Sequence, residues 1–321
     1  MGVNLSAIIE TQKIGFDSLI GKTLVVDSYN IIYQFLSSIR QHDGMPLMDE
    51  SGNITSHLAG LFYRTINLTE KGINLMFVFD GKHPDFKKAE VERRRNIRTE
   101  AKEKWDNALK DGNIEDAKKY ARMSSSMSEE IIEESKNLLT NLGFPVIQAK
   151  SEGEAQAAKI CRDGKAWGLA SQDFDSVLFG SPITVRNLSI SKADYLELIE
   201  LNKLSLSREQ LILIALLVGT DYNPGIKGLG PKKGLKLVKE CKTIENLKKQ
   251  INWDFEVEIE TLYDFFLNPP VFNDYKINSE KLQTDKIKEL LCEKHNFIEE
   301  RVQKFIDKLG KKKKQTNLFG F

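Results

Sequence analysis

The chain has 321 residues, and its 47 Lys and Arg against 46 Asp and Glu leave a net charge of +1. At about 150 residues per domain this length suggests about two domains, and the 40% hydrophobic fraction is enough to fill a sizeable core. The near-neutral balance excludes a uniformly basic coat, so any affinity for polyanions has to come from locally concentrated charge. The three cysteines and four scattered histidines form no zinc-binding spacing. Because we find neither a signal peptide nor an apolar run of about 18 residues, we expect an intracellular protein that does not enter a membrane.

Short apolar runs alternate with amphipathic stretches in the first half of the chain. Continuous apolar runs are typical of strands buried on both faces of a sheet, and amphipathic stretches are typical of helices. The helical patterns include 30–40 and 129–142. The alternation predicts an α/β fold with a mainly parallel central sheet flanked by helices. The predicted strands are 23–26, 75–79, 144–147 and 167–170.

Acidic residues follow each of these apolar runs, and one more follows a later apolar helix. In an open α/β sheet, ligands bind outside the carboxyl ends of the strands, so these acids are expected to converge there. Crowded carboxylates repel one another unless cations are present, and Mg²⁺ prefers oxygen ligands. The pattern therefore predicts a site for two Mg²⁺ ions about 3.5–4 Å apart, an arrangement used in phosphodiester hydrolysis. Any single acidic pair by itself is better explained as a solvated loop, and the prediction rests on the repeated position of the acids at the ends of apolar runs. The seven acids are Asp27, Asp80, Glu152, Glu154, Asp173, Asp175 and Asp221.

A long polar segment follows Asp80. Residues 83–122 contain twelve Lys or Arg and nine Asp or Glu, a composition typical of an exposed helix. Lys87, Arg94 and Arg98 share one helical face. A basic helix that begins close to a metal-binding acid could reach a scissile phosphate. The alternative is a solvated charged face.

The last third of the chain is mainly helical and contains a glycine-rich turn. Gly228 and Gly230 allow a tight turn, and Pro231 suits the first turn of the next helix. Five lysines and no acid lie within residues 222–239. Backbone N–H groups at such a helix start would bind DNA phosphates without reading sequence. The alternative is an ordinary helix–helix turn.

In combination, these motifs resemble the flap endonuclease family, particularly its archaeal members. The resemblance rests on Val-Val-Asp27, Val-Phe-Asp80-Gly, Ser-Glu152-Gly-Glu154-Ala, Ser-Gln-Asp173-Phe-Asp175 and Gly-Thr-Asp221-Tyr-Asn. It covers nearly the whole chain and implies a PIN-like 5′ nuclease domain with a helical arch insertion, followed by a helix-hairpin-helix type DNA-binding element. The implied organisation is a nuclease domain at 1–218 with the arch at about 83–127, a helical DNA-binding region at 219–310 with the hairpin at about 219–240, and a flexible tail at 311–321.

The resemblance also implies residue roles. The seven acids would hold two Mg²⁺ ions, with Mn²⁺ as an alternative, and Lys87 and Arg94 would act on the scissile phosphate. Tyr33 would stack on the neighbouring base, although the sequence alone fits a core residue of helix 31–36 equally well. The hairpin would bind duplex phosphate, with a K⁺ ion at its carbonyls. The predicted DNA-binding residues are Tyr33, Arg64, Gly228, Gly230, Lys232 and Lys233.

The C-terminal residues resemble a docking motif for PCNA-type sliding clamps. Gln315, Leu318 and Phe321 match its spacing, but one terminal aromatic is present where two are usual. The alternative is a solvated terminus.

The expected function is that of a Mg²⁺-dependent 5′ flap endonuclease with 5′→3′ exonuclease activity, acting as a monomer on branched or flapped DNA in replication and repair. One alternative is a related nuclease specialised for bubbles or recessed ends. The other is a non-catalytic DNA-binding clamp adaptor. We expect the protein in the cytoplasm of a prokaryotic host or in the nucleus of a eukaryotic one.

Overall fold

The computed structural model of the protein describes residues 2–41, 44–124, 126–188 and 195–318, with the side chains of Leu109, Arg122 and 313–318 left out. The strands are β1 (Gln12–Ile14), β2 (Thr23–Asp27), β3 (Asn74–Phe79), β4 (Val146–Gln148), β5 (Gly168–Ala170), β6 (Ile183–Arg186) and β7 (Leu196–Glu200). The helices are α1 (Ser28–Ser38), α2 (Ser56–Glu70), α3 (Lys88–Lys110), α4 (Ile114–Met123), α5 (Glu129–Asn141), α6 (Gly153–Arg162), α7 (Asp175–Leu178), α8 (Arg208–Val218), α9 (Pro231–Cys241), α10 (Ile244–Gln250), α11 (Ile259–Leu267), α12 (Thr284–Lys288) and α13 (Glu299–Leu318).

The described strands form one mixed sheet in the order β1-β7-β6-β5-β2-β3-β4. β2 lies in the middle and runs parallel to β3 and β5, and β4 and β6 extend this parallel part. β7 and β1 add an antiparallel edge beside β6. The prediction of a mainly parallel α/β sheet is therefore confirmed. The parallel part brings the carboxyl ends of β2, β3, β4 and β5 to one edge.

Two hydrophobic cores lie on the two faces of the sheet. Alternate residues of a strand point to opposite faces, so Val25 and Met76 join one core while Val26 and Phe77 join the other. Helices α6–α11 contribute to the first core, and α1, α2, α5, α12 and α13 contribute to the second. The C-terminal helices thus share both cores with the part of the chain that forms the sheet. None of the helices in the described ranges has both the length and the apolar character needed to cross a bilayer.

The polar segment after Asp80 forms two packed helices, α3 and α4. They join at a turn where Gly112 has a φ of +68°. Their contact is made of small side chains, because Ala101, Ala108, Ala117 and Ala121 are all buried. Arg40 at the end of α1 donates to the Ala121 carbonyl at 2.7 Å, which holds α4 against the body of the protein. This helix pair lies within the segment at about 83–127 for which an arch is predicted, and that segment is called the arch below.

Helix α13 extends further than the sequence predicts. Its apolar residues Val302, Ile306 and Leu309 are buried in the second core. The backbone of 311–318, predicted to be a flexible tail, continues this helix to Leu318. Lysine and glutamine are good helix formers, and extending an existing helix avoids the cost of nucleation. The side chains of the clamp-binding prediction, Gln315 and Leu318, and the whole of Phe321 lie outside what the structure describes.

Candidate active site

The ends of β2 and β3 place two predicted metal ligands side by side. Asp27 is the last residue of β2 and caps α1 by accepting from the Asn30 N–H at 3.2 Å. Asp80 follows β3 and accepts from the Gly153 N–H at 2.7 Å. This bond ties the end of β3 to the start of α6. The strand ends therefore hold both carboxylates at the edge of the sheet.

Three more of the predicted acids come from the α6 and α7 region. Glu154 lies in the first turn of α6 and accepts from the Ser171 hydroxyl at 2.6 Å. Asp173 accepts from the Asn30 side-chain amide at 2.9 Å. Asp175 begins α7 and is buried. Because Asn30 lies on α1, directly after β2, the hydrogen bond from Asn30 to Asp173 links the acids after β5 to Asp27 at the end of β2.

The N-terminal segment also lies against these acids, and no pattern in the sequence predicts this contact. The Gly2 N–H donates to Asp173 Oδ1 at 3.2 Å, and the Val3 N–H donates to Asp175 Oδ1 at 3.3 Å. A Cβ atom at Gly2 would lie 2.6 Å from Asp175 Oδ1, so this close approach requires glycine. Sequence reasoning missed both residues because they are more than 170 positions away from their partners.

Burial raises the pKa of four of the carboxyls, and neighbouring carboxylates raise it further. The pKa of Asp80 rises to about 6 and that of Asp175 to about 8, with burial as the largest cause in each case. The pKa values of Asp27 and Glu154 also lie well above their ordinary ranges for the same two reasons. In the absence of bound ions, the site therefore favours protonation of these carboxyls, and binding of cations would be favoured for the same reason.

Two cations of the arch pair with the remaining acids. Lys87 Nζ lies 2.6 Å from Glu152 Oε2, in a short turn that precedes α3. Although burial opposes the charge on Lys87, Glu152 raises its pKa. Arg94 donates to Asp221 and also, through Nε, to Glu90 at 2.7 Å. Both predicted catalytic cations thus contact predicted metal ligands.

Tyr222 forms part of the wall beside these pairs. It is buried, and its ring packs edge-on against Phe86, Phe265 and Phe266 at centroid distances of 5.0–5.5 Å. The Lys87 ammonium lies 5.5 Å from the ring centroid. An aromatic face beside a buried cation stabilises its charge. The tyrosine follows Asp221 directly in sequence, but nothing in the sequence distinguishes it from an ordinary core residue.

Tyr33 faces the arch. It is half-buried on α1, and the Arg98 guanidinium of α3 lies 4.9 Å from its ring centroid. The alternative of a core position for Tyr33 is therefore wrong. Arg64, by contrast, is half-buried on α2 and donates to the Leu188 carbonyl at 3.0 Å. Burial lowers the pKa of Arg64.

The glycine-rich turn joins α8 to α9 as a helical hairpin. Gly228 has a φ of +85°, and Gly230 caps α9, with Pro231 at its first position. Lys233 donates to the Gly228 carbonyl at 3.1 Å, which closes the turn. The neighbouring Lys232 is exposed. This geometry leaves the start of α9 available to bind an anion.

The donor set fits divalent cations. Hard ions such as Mg²⁺ take carboxylate oxygens, and the site offers several carboxylates whose pKa values are raised first by burial and then by neighbouring carboxylates. In the described part of the chain, Asp80, His83 and Glu152 form a group whose ligand atoms all lie within 4.8 Å of one another. Asp27 interacts electrostatically with Asp80, and Glu154 interacts with Asp27, Asp173 and Asp175. His83 is a member that sequence reasoning did not include.

Comparison with known proteins decides the family. The XPG N-terminal domain family matches residues 1–101, and the XPG I-region family matches residues 143–221. Flap endonuclease 1 of Staphylothermus marinus is 50% identical, over 97% of this chain and 95% of that protein. Flap endonuclease 1 of Pyrococcus horikoshii is 47% identical, over 97% and 94%.

The chain belongs to the flap endonuclease family. The solved structure of flap endonuclease-1 from Methanococcus jannaschii has the same PIN-like nuclease fold, with a TM-score of 0.78 and 37% identity, over 96% of this chain and 98% of that one. The protein is therefore a structure-specific flap nuclease that hydrolyses DNA phosphodiester bonds in replication and repair. Activity in this family depends on metal ions.

Proposed function

We propose that this nuclease removes 5′ flaps by hydrolysis at the acids around Asp80, leaving a 5′-phosphate and a 3′-hydroxyl, and that it also acts as a 5′→3′ exonuclease. The observation that carries the proposal is the pairing of arch cations with strand-end acids. Lys87 contacts Glu152 at 2.6 Å, and Arg94 contacts Asp221. A phosphate that reaches the acids therefore also meets two cations on a separate structural element.

We assign the seven predicted acids to binding two Mg²⁺ ions, with Mn²⁺ as an alternative. Bound divalent ions would supply Lewis-acid charge beside the scissile phosphate. Their binding would compensate the acids that Lys87 and Arg94 neutralise in this structure. The two cations would then be free to bind the phosphate oxygens and stabilise charge that develops during hydrolysis.

The remaining predicted residues would hold the DNA. Tyr33 presents its ring towards the arch, where an unpaired base could stack on it. Lys232, Lys233 and the start of α9 would bind duplex phosphates, with a K⁺ ion at the carbonyls of the turn. Arg64, half-buried on α2, would contact the DNA backbone.

A cleavage assay tests the function directly. The full-length nuclease is mixed with Mg²⁺ and a 5′ flap, a bubble, a recessed end or a blunt duplex of the same sequence. We expect the flap to be cut fastest and Asp173→Asn to abolish cutting while duplex binding persists, because phosphate contacts elsewhere dominate affinity. Asp274→Asn, at an exposed acid outside the site, is the matched control. Faster cutting of bubbles or recessed ends would favour the related specialised nuclease, and full activity of Asp173→Asn would contradict the metal site.

We also propose that the C-terminal residues bind a PCNA-type sliding clamp and that the nuclease is otherwise a monomer. The spacing of Gln315, Leu318 and Phe321 supports the clamp interaction. Deleting 315–321 should leave clamp-free cleavage unchanged and remove stimulation by the clamp. Undiminished stimulation of the deleted protein would support a solvated terminus instead. Since the relatives are archaeal, we place the protein in the cytoplasm.

A further inference from the structure

A histidine lies within the acidic site, beside the ligands that follow β3. His83 comes three residues after Asp80, and its Nδ1 lies 3.4 Å from Glu152 Oε1. Lys87 binds the other oxygen of the same carboxylate, Oε2, at 2.6 Å. The imidazole and the ammonium thus contact different oxygens of the Glu152 carboxylate. The ligand atoms of Asp80, His83 and Glu152 all lie within 4.8 Å of one another.

The backbone holds His83 in this position from both sides. Before it, the Gly81 N–H donates to the Ser151 carbonyl at 2.7 Å, and a Cβ atom at Gly81 would lie 2.2 Å from the Ala149 carbonyl oxygen. After it, Pro84 favours an extended conformation at His83 and begins the short turn that carries Lys87. The loop is therefore fixed against the segment that leads into α6, and only the imidazole has freedom to turn.

The spacing is that of ligands around one ion. Two ligands at adjacent octahedral positions about 2.1 Å from an ion lie about 3 Å apart. The 3.4 Å between Nδ1 and Oε1 needs little adjustment to reach this value, and it exceeds the usual hydrogen-bond length of about 2.7–3.2 Å. The His83 side chain is 39% exposed, so it can reorient without disturbing the core.

We propose that His83 supplies a nitrogen ligand to the metal ion held by Asp80 and Glu152, so that this position binds Mn²⁺ in preference to Mg²⁺. The inference rests on the metal site of the proposed function. Imidazole nitrogen is a poor ligand for Mg²⁺, which prefers carboxylates and water, whereas transition-metal ions accept both oxygen and nitrogen. One histidine in an oxygen-rich site therefore shifts ion preference without removing a carboxylate.

Pulsed electron paramagnetic resonance of Mn²⁺ bound to the full-length nuclease tests the nitrogen ligand directly. We expect a coupling to a directly bound ¹⁴N nucleus, which changes to the ¹⁵N pattern when the protein is labelled with ¹⁵N-histidine. The coupling should vanish in His83→Ala, although the other three histidines remain. An uncoupled spectrum of the wild type, or a coupling that persists in His83→Ala, would overturn the proposal.

Calorimetry provides the second measurement. In His83→Ala the dissociation constant for Mn²⁺ should rise about tenfold, the lower end of the losses seen when a metal-ligand shell is disturbed, and that for Mg²⁺ less than about threefold. His83→Asp replaces nitrogen with oxygen and should restore tight binding with the preference shifted towards Mg²⁺. Lys82→Ala, at the exposed neighbour, is the matched control and should change neither constant. Equal losses for both ions in His83→Ala would contradict the proposal.

Flap cleavage by the wild type in Mg²⁺, measured on the same preparation, distinguishes a failure of the His83 ligand from a failure of the proposed function. If the wild type cleaves the flap but its Mn²⁺ spectrum shows no ¹⁴N coupling, His83 is not a metal ligand and the proposed function still stands. A preparation that binds Mn²⁺ through nitrogen but cuts none of the DNA substrates would instead overturn the proposed function.

Discussion

Arg93 and Arg94 are adjacent in sequence and bind the same carboxylate, yet only one reaches the active site. Both donate to Glu90, at 2.6 Å and 2.7 Å. Arg94 also donates to Asp221 and has a side chain that is 27% exposed, whereas that of Arg93 is 62% exposed. The pair therefore separates the effect of position from the effect of charge.

We expect Arg94→Ala to lower the single-turnover rate of flap cleavage by about 100-fold, or roughly 3 kcal/mol, with little change in substrate affinity. This is the size of the loss when one donor to a developing charge is removed. Arg93→Ala should lower the same single-turnover rate by at most a few-fold, because the Arg93 charge is solvated. Rapid-quench kinetics with excess enzyme measures both. Equal losses would mean that the segment acts through general charge alone.

Asp175 gives a prediction for stability. Burial, followed by Asp221 and Asp173, raises its pKa to about 8 from an ordinary 3.8. Between these values the unfolded chain loses the proton first, so the metal-free protein loses stability as the pH rises through this window. Asp175→Asn should therefore stabilise the EDTA-treated protein by on the order of 2 kcal/mol at pH 8.5.

The pH profile distinguishes this cause from a simple packing change. At pH 4 the carboxyl of the folded protein is already protonated, so Asp175→Asn should then match the wild type. The exposed Asp274→Asn is the control at both values. Urea unfolding measures the difference, and a stabilisation that is equal at both pH values would show that charge is not its source.

Prediction from sequence succeeded for residues whose chemistry is visible in a local pattern. Asp27 and Asp80 were found because each ends an apolar run. His83 was missed because its partner Glu152 is 69 residues away and histidine is common at neutral loop positions. Gly2 was missed because it matters only by having no side chain where the backbone passes close to Asp175. That close approach is visible only in the folded structure.

At the scale of elements, the hairpin between α8 and α9 is expected to bind DNA phosphate. Lys233→Glu reverses a charge and also removes the bond to the Gly228 carbonyl, whereas Lys232→Glu only reverses a charge. Affinity should fall about equally for duplexes of every sequence, and the slope of log affinity against log salt should shrink by roughly one per lost contact. Fluorescence anisotropy across a salt series measures the slope.

Lys281→Glu, at an exposed lysine outside the hairpin, is the control for net charge and should leave the salt slope unchanged. A slope that is also unchanged in Lys232→Glu, or a loss confined to one duplex sequence, would contradict a phosphate-binding hairpin. A larger loss for Lys233→Glu than for Lys232→Glu would show that the closed turn itself contributes.

The sequence predicted the buried strands β2–β5 because continuous apolar runs bounded by acids are a strong signal. It missed the antiparallel edge for physical reasons. β1 has only three residues, two of them exposed, and β6 has only four. β7 reads Leu-Glu-Leu-Ile-Glu, which is neither a continuous apolar run nor a strict alternation, and it is defined by its pairing with both neighbours, which is a tertiary property. The predicted helices 30–40 and 129–142 correspond to α1 and α5 within two residues at each end.

At the scale of the whole molecule, a buried polar network joins distant parts of the chain. Glu134 on α5 accepts from His57 on α2 at 3.3 Å and contacts His295 before α13 at 2.8 Å. His295 also contacts Asp49 at 2.8 Å, and Lys294 donates to Glu134 at 2.6 Å. The network thus holds the C-terminal helix and the loop that follows α1 against the second core.

The network has a defined pH dependence. Although burial opposes ionisation, the hydrogen bonds from His57, Lys294 and His295 lower the pKa of Glu134 to about 2 from an ordinary 4.5. Burial lowers the pKa of His57, despite its bond to Glu134. For both groups the unfolded chain takes up protons first as the pH falls. Acid therefore destabilises the fold, first through His57 below about pH 6.5 and then through Glu134 between about pH 4.5 and 2.

We expect Glu134→Gln to destabilise the protein by about 2 kcal/mol at pH 7, because the amide loses the negative charge that strengthens the hydrogen bonds from His57, Lys294 and His295 to this buried side chain. The difference in unfolding free energy between the wild type and Glu134→Gln should shrink as the pH falls towards 3. There the wild-type carboxylate begins to take up protons and stabilises the fold less. Urea unfolding at pH 7, 5 and 3 follows this change. Glu133→Gln is the matched control, since Glu133 is the next residue on α5 and forms an exposed pair with Lys136, worth less than about 1 kcal/mol. A deficit that is constant with pH, or an equal loss in Glu133→Gln, would mean that packing rather than charge gives this network its stability.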